Sequence, residues 1–153
     1  MTTLHVIESR PEHAALLSAN LRRGDILEVE ATGLKAKQAV WRSYRASHMR
    51  KSYFVDGKIA AMMGCSGGML SDIGHPWLLT TPEVEKIPIT FVKEAKKGVA
   101  EMLERHSELN NYVDASYHQA LRLLSVLGFT IGMRDVIHVG VRRLPFLSFE
   151  MRR

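Results

Sequence analysis

Cysteine occurs once in this 153-residue sequence, at Cys65. A single thiol excludes an intrachain disulfide and any metal cluster built on several cysteines. The seven histidines are scattered, with no H-x-x-x-H pair or other ligand spacing, so no metal site is expected. Long apolar runs are missing as well. The longest are short and broken by glycine or charge, which excludes a hydrophobic helical span of a membrane. The N-terminus has no basic-then-apolar signal pattern, and the chain reads as intracellular. Acidic residues are outnumbered, with 16 Asp and Glu against 21 Lys and Arg and a net charge of +5. That balance permits nucleic acid, an acidic cofactor or an acidic partner. The basic residues form no single block, however. Arg22–Arg23, Arg50–Lys51, Lys93 with Lys96–Lys97, Arg142–Arg143 and Arg152–Arg153 are separate clusters. Such dispersion fits a solvated surface better than a nucleic-acid face.

A hydrophobic share of 46% is enough for one packed domain over residues 1–153. Thr3–Ser9 alternates and reads as an opening strand. Pro11 and Glu12 suit the first turn of a helix that continues through Ala14, Leu17 and Leu21. Gly24 breaks the pattern, and Asp25–Glu30 alternates in a way that fits either a strand or a helical turn. Ala36–His48 is a second helix. Ser52–Val55 and Lys58–Cys65 flank Asp56-Gly57, a strong hairpin signal. Ile73–Thr80 is a further strand in which Pro76 marks a start or a bulge. Pro88 prevents a continuous helix from Glu83, and a helix is expected over Ile89–His106.

The most informative stretch is Leu109–Phe129, LNNYVDASYHQALRLLSVLGF. It reads as a strand, a sharp turn, a helix from Tyr117 to Leu127 and a Gly-Phe stop. Ser116 is placed to cap the helix, and Gly128 sits where a helix end needs φ > 0. Short strands follow at Thr130-Ile131 and Val136–Val141, then an alternating tail, Pro145–Met151. The expected order is β-α-α-β-β-β-α-β-α-β-β. This is an α+β fold with helices on both faces of a mixed, mainly antiparallel sheet. The strands flanking the third helix should be parallel neighbours, because a helical crossover joins them.

That order, the hairpin at Asp56-Gly57, and Ala120 spaced from Gly128-Phe129 resemble the GNAT N-acyltransferase fold. A narrower resemblance is to the GNAT-like internal virion protein A family of short-tailed phages. It is carried by RPEHAALLSANLRRGDILEVEATG, PWLLTT, NNYVDASYHQALRLLSVLGF and FLSFEM. The resemblance implies acetyl-CoA as a cofactor candidate. Its contacts would be Leu78, Leu79 and Thr80 on one strand, Lys86, Thr90 and Lys93 in the following loop and helix, and Asn111 and Tyr117. It also implies Glu28, Glu30 or Asp114 as the base for an amine. Two features depart from active members. The loop Thr80–Thr90 has no glycine, two prolines and two acids where a [QR]-x-x-G-x-[GA] turn cradles pyrophosphate. Tyr117 and Leu124 stand where Asn and a Tyr acid are common, and Leu124 transfers no proton.

The resemblance therefore implies a phage protein working in virion assembly or in contacts with virion or host proteins, with weak or absent acyltransferase chemistry. Its expected location is the host cytoplasm during infection, with the virion as a second one. The alternatives are an active acetyl-CoA-dependent N-acetyltransferase of a host amine or protein, and a basic nucleic-acid-binding protein. Dispersed charge makes nucleic acid the least favoured partner.

Overall fold

In the computed structural model, which describes residues 2–153, the apolar run of the second hairpin strand is buried on both sides. Met62 and Met63 point to opposite faces, one into each of two cores. A strand buried on both faces needs continuous apolar sequence, and Lys58–Ser66, KIAAMMGCS, supplies it. The elements are β1 (Leu4–Glu8), α1 (Pro11–Ser18), α2 (Arg23–Ala31), α3 (Ala36–Ala46), β2 (Ser47–Val55), β3 (Lys58–Ser66) and β4 (Ile73–Thr80). After a 3-10 turn (Pro82–Lys86) come α4 (Pro88–Arg105), β5 (Glu108–Asp114), α5 (His118–Leu127), β6 (Thr130–Val139) and β7 (Leu144–Arg152).

The seven strands form one sheet in the order β1-β2-β3-β4-β5-β7-β6. Every adjacent pair is antiparallel except β4–β5, which is parallel as the helical crossover requires. The β2–β3 turn places Asp56 at φ 49° and Gly57 at φ 81°, the primed geometry that matches strand twist. On one face Phe91, Ala95, Val99 and Met102 of α4 pack with Leu127, Phe129 and Phe149 over Tyr53, Met63 and Cys65. On the other, Ala14, Leu17, Val40 and Tyr44 of α1 and α3 cover Ile59, Met62 and Leu79.

Several boundaries differ from expectation, each for a local reason. Three helices, not two, precede β2. The ambiguous Asp25–Glu30 stretch is helical, and in its first turn the Asp25 carboxylate accepts from Thr80. The helix from Ala36 stops at Ala46, and β2 begins at Ser47. There the Ser47 hydroxyl donates to Ser43 O and accepts from the Trp77 indole. Ser116 does not cap α5. Its N–H and hydroxyl both donate to Asp114 Oδ1 (2.8 and 2.7 Å), and Tyr117 occupies the cap position outside the helix. Gly128 closes α5 at φ 103°, a left-handed geometry that suits glycine. The two short strands expected after Phe129 are a single strand, β6, whose register breaks between Ile131 and Val136.

Leu17 is fully buried while Leu70 is almost wholly exposed. Leu17→Ala should cost roughly 2–5 kcal/mol in urea unfolding. Leu70→Ala should stay within about 0.5 kcal/mol of the parent.

Candidate functional site

The parallel β4–β5 ladder holds for only two pairs, Ile73↔Glu108 and Gly74↔Leu109, and then opens. The alternation of strand backbone explains where. Thr81 N–H donates to Ala60 O on β3, so the N–H groups of residues 80, 78 and 76 point the other way, toward β5. At 76 the residue is proline, which has no N–H to give. The Asn111 side-chain amide donates instead to Pro76 O at 2.9 Å, and the His75 ring donates to Asn110 O at 2.9 Å. Pro76 therefore marks the end of the parallel ladder, within β4 and not at its start. By the same alternation Leu78 turns its N–H and C=O into the opening, and no β5 residue pairs with them.

Between the diverging strands lies a cavity of about 500 Å³. It crosses the sheet. Val99, Met102 and Phe149 line it on the α4 side, and Leu34, Ala39 and Arg42 line it on the α3 side. Its walls are largely apolar, and the polar groups converge where α2 meets the tip of β4. Asp25, 3% exposed, accepts from Thr80 N–H (3.1 Å) and from the Thr80 hydroxyl (2.5 Å). Arg22 donates its N–H to Thr80 O (2.9 Å) and its Nε to Thr80 Oγ1 (2.7 Å). Both backbone groups of Thr80 are thus satisfied by α2 and its cap. Burial raises the Asp25 carboxyl, while Thr80 and the Arg22 guanidinium oppose the rise.

One turn along α2, Glu28 faces the same cavity and accepts from Asp114 N–H at 3.1 Å. Loss of water around its carboxyl pushes it up to about 7. The Asp114 N–H opposes that rise, and the neighbouring Asp25 and Asp114 charges add to it. Tyr117 packs its ring against Gly24, where a Cβ would stand 2.4 Å from Cε1. Its hydroxyl is buried and has no hydrogen-bond partner among the described residues. Burial, then the Asp25 charge, raises its pKa.

The residues anticipated from sequence divide cleanly. Glu28, Leu78, Leu79, Thr80, Asn111 and Tyr117 all line the cavity, as does Leu124. Glu30 lies on the exposed side of α2. The Asp114 carboxylate is turned into its own loop by Ser116, and only its N–H reaches Glu28. Lys86 is exposed and paired with Glu83 at 2.7 Å, and Thr90 and Lys93 are also exposed, none of the three lining the cavity. Asp25 and Arg22 were not anticipated. The signal available for Asp25 was an acid in the first turn of a helix after a glycine, which marks a helix start and not a cavity.

Much of the β4–α4 turn is bonded within itself, and the first-turn N–H groups of α4 at Ile89 and Thr90 have no intrahelical partner. Glu83 N–H donates to Thr81 Oγ1, Val84 N–H to Thr81 O, Ile87 N–H to Val84 O and Phe91 N–H to Ile87 O. Pro82 and Pro88 have no N–H to offer.

No family model matches the sequence, and no curated protein matches it. Solved structures do match in shape. A GNAT-family acetyltransferase from Streptococcus pneumoniae aligns with TM-score 0.67 at 16% identity, covering 98% of this chain and 99% of that one. The spermidine N-acetyltransferase from Vibrio cholerae, in complex with CoA and spermine, aligns with TM-score 0.71 at 12% identity, covering 97% and 95%. An aminoglycoside acetyltransferase in complex with coenzyme A gives 0.66 at 14% identity, covering 99% and 95%. At these identities the likeness is one of fold, and the fold is that of the GNAT acetyltransferases.

Glu28 supplies a test of the cavity's electrostatics. Its pKa is raised on folding, so folded protein holds a proton that the unfolded chain loses near pH 4.5. Stability should therefore be fullest below that pH and fall as pH rises toward 7, by on the order of 3 kcal/mol. Glu28→Gln keeps an acceptor for Asp114 N–H and removes the titration. Urea unfolding at pH 5 and pH 8 should show a smaller loss for the variant than for the parent.

Proposed function

We propose that this acetyltransferase-fold chain is a phage protein of the internal-virion type. It acts in virion assembly or by contacting virion or host proteins, with acyl-transfer chemistry weak or absent. Its place is the host cytoplasm during infection, with the virion as a second location. The observation that carries the reading is the filled tip of β4. Proteins of this fold take the pantetheine arm of acetyl-CoA by strand-like pairing in the β4–β5 opening; both backbone groups of Thr80 are already bonded to Asp25 and Arg22, which leaves only those of Leu78 for such pairing. Beyond the tip, a pyrophosphate would meet a turn whose N–H groups are largely bonded within the turn, and the Glu83 and Glu85 carboxylates. The glycine-free turn offers the diphosphate end of the cofactor only the first-turn N–H groups of α4, at Ile89 and Thr90, beside acids already paired with Lys86 and Arg22. The Leu124 side chain in the cavity offers no proton to a leaving thiolate.

Isothermal calorimetry with acetyl-CoA should give no saturable heat. Mass spectrometry of purified virions, or of complexes captured from infected cells, should find the chain. Absence from both would overturn the assembly reading.

Glu28 favours a second reading, an N-acetyltransferase acting on a host amine or protein. A carboxylate titrating near neutrality inside a cavity is suited to take a proton from an ammonium group. Saturable acetyl-CoA binding, together with acetylation of an amine that Glu28→Gln abolishes, would establish this reading in place of the first.

A further inference from the structure

Away from the open end of the fork, three side chains distant in sequence meet at its closed end. His48 is on β2, Cys65 on β3, and His106 caps α4 immediately before β5. One ligand atom from each lies within 4.8 Å of the others. The two imidazoles face each other through their Nε2 atoms at 2.9 Å. His106 donates Nδ1–H to Ser71 O at 2.7 Å, so its Nε2 carries a bare lone pair. That is the tautomer and the backing hydrogen bond that a metal-bound histidine uses. His48 reaches the cluster because the β2–β3 register shifts between Ser47 and Met49, and an irregularity of that kind re-aims a side chain. Its other nitrogen, Nδ1, is buried without a partner among the described residues. Gly74 leaves the room. A Cβ there would stand 2.7 Å from Cys65 Sγ and 2.6 Å from His106 Cδ2.

We propose that His48, Cys65 and His106 form a binding site for a divalent cation of the zinc type. The donor set decides the metal class. One thiolate and two imidazoles suit a borderline-soft ion and disfavour magnesium or calcium. Bonds of about 2.0–2.3 Å in a tetrahedron put these ligand atoms roughly 3.3–3.6 Å apart, so the imidazole pair opens from 2.9 Å and the thiolate closes from at most 4.8 Å. The cation displaces the Cys65 thiol proton to solvent, the proton that His48 Nε2 now donates to His106 moves to His48 Nδ1 by exchange with solvent, and a fourth position stays open for water. Bound there, it ties β2, β3 and the α4–β5 corner together at the end where β4 and β5 still pair. This site is independent of the cavity and of either reading of it.

The test is a cobalt titration of the tag-free full chain after dialysis against a chelator. One equivalent of Co²⁺ should produce intense tetrahedral visible bands and a near-ultraviolet thiolate-to-cobalt band, and one equivalent of Zn²⁺ should erase both. Cys65→Ser should lose the thiolate band. His48→Gln, at a half-buried position where the fold should tolerate the change, should weaken Co²⁺ binding at least tenfold, with circular dichroism in chelator unchanged. Absence of saturable binding in the parent would overturn the site, and so would unchanged binding in His48→Gln. The second result decides the matter even if Cys65→Ser does not fold.

Discussion

The parallel ladder between β4 and β5 ends after two pairs, and the rest of the molecule is arranged around that opening. A central sheet normally satisfies its interior backbone groups strand to strand. Here Pro76 removes a donor on the side of β4 that faces β5, and the strands part. The groups beyond it need other partners in a dry interior. Asn111 serves Pro76 O, and the start of α2 serves Thr80 through Asp25 and Arg22. The crossover helix α4 and the three helices after β1 each cover one face, so the gap between the strands becomes a cavity that runs from one core to the other.

Charge is partitioned in a way that the net value hides. The surface is basic, yet Asp25, Glu28 and Asp114 gather where the cavity meets α2. Each is managed differently. Asp25 is held by two donors on Thr80 with Arg22 beside it, and Asp114 is committed to Ser116. Glu28 has a single backbone donor and is left to take up a proton near neutrality. A carboxyl in that state is a recurring feature of functional sites, though ion networks built for structure also produce it. At the same end of the cavity the backbone groups of Thr80 are taken by Asp25 and Arg22, while those of Leu78 stay open toward β5.

Much of the scaffold was legible in the chain. The Asp56-Gly57 hairpin, the parallel β4–β5 neighbours and the Gly128 stop follow from local rules. Asp25–Glu30 was not resolvable, because its apolar residues at alternate positions match a strand while a short helix needs only one turn of the same residues. In the fold its Asp25 meets Thr80, 55 residues away. For the site, Glu28 and Tyr117 were reached through resemblance, and so were Lys86, Thr90 and Lys93 beside the turn after β4. A resemblance names a segment and not a side-chain direction, and these last three are exposed.

By itself the sequence determined the number and kind of most elements, the single crossover that makes two strands parallel, and the turn without glycine after β4. These are short-range matters of backbone geometry: where φ can be positive, where an N–H is missing, which residues repeat on one face. Only the tertiary structure decided that Asp25 and Arg22 close on Thr80, that Glu28 sits where water is scarce, and that His48, Cys65 and His106 converge. Those depend on which distant strands and helices share a wall, and no spacing along the chain encodes a distance across the sheet.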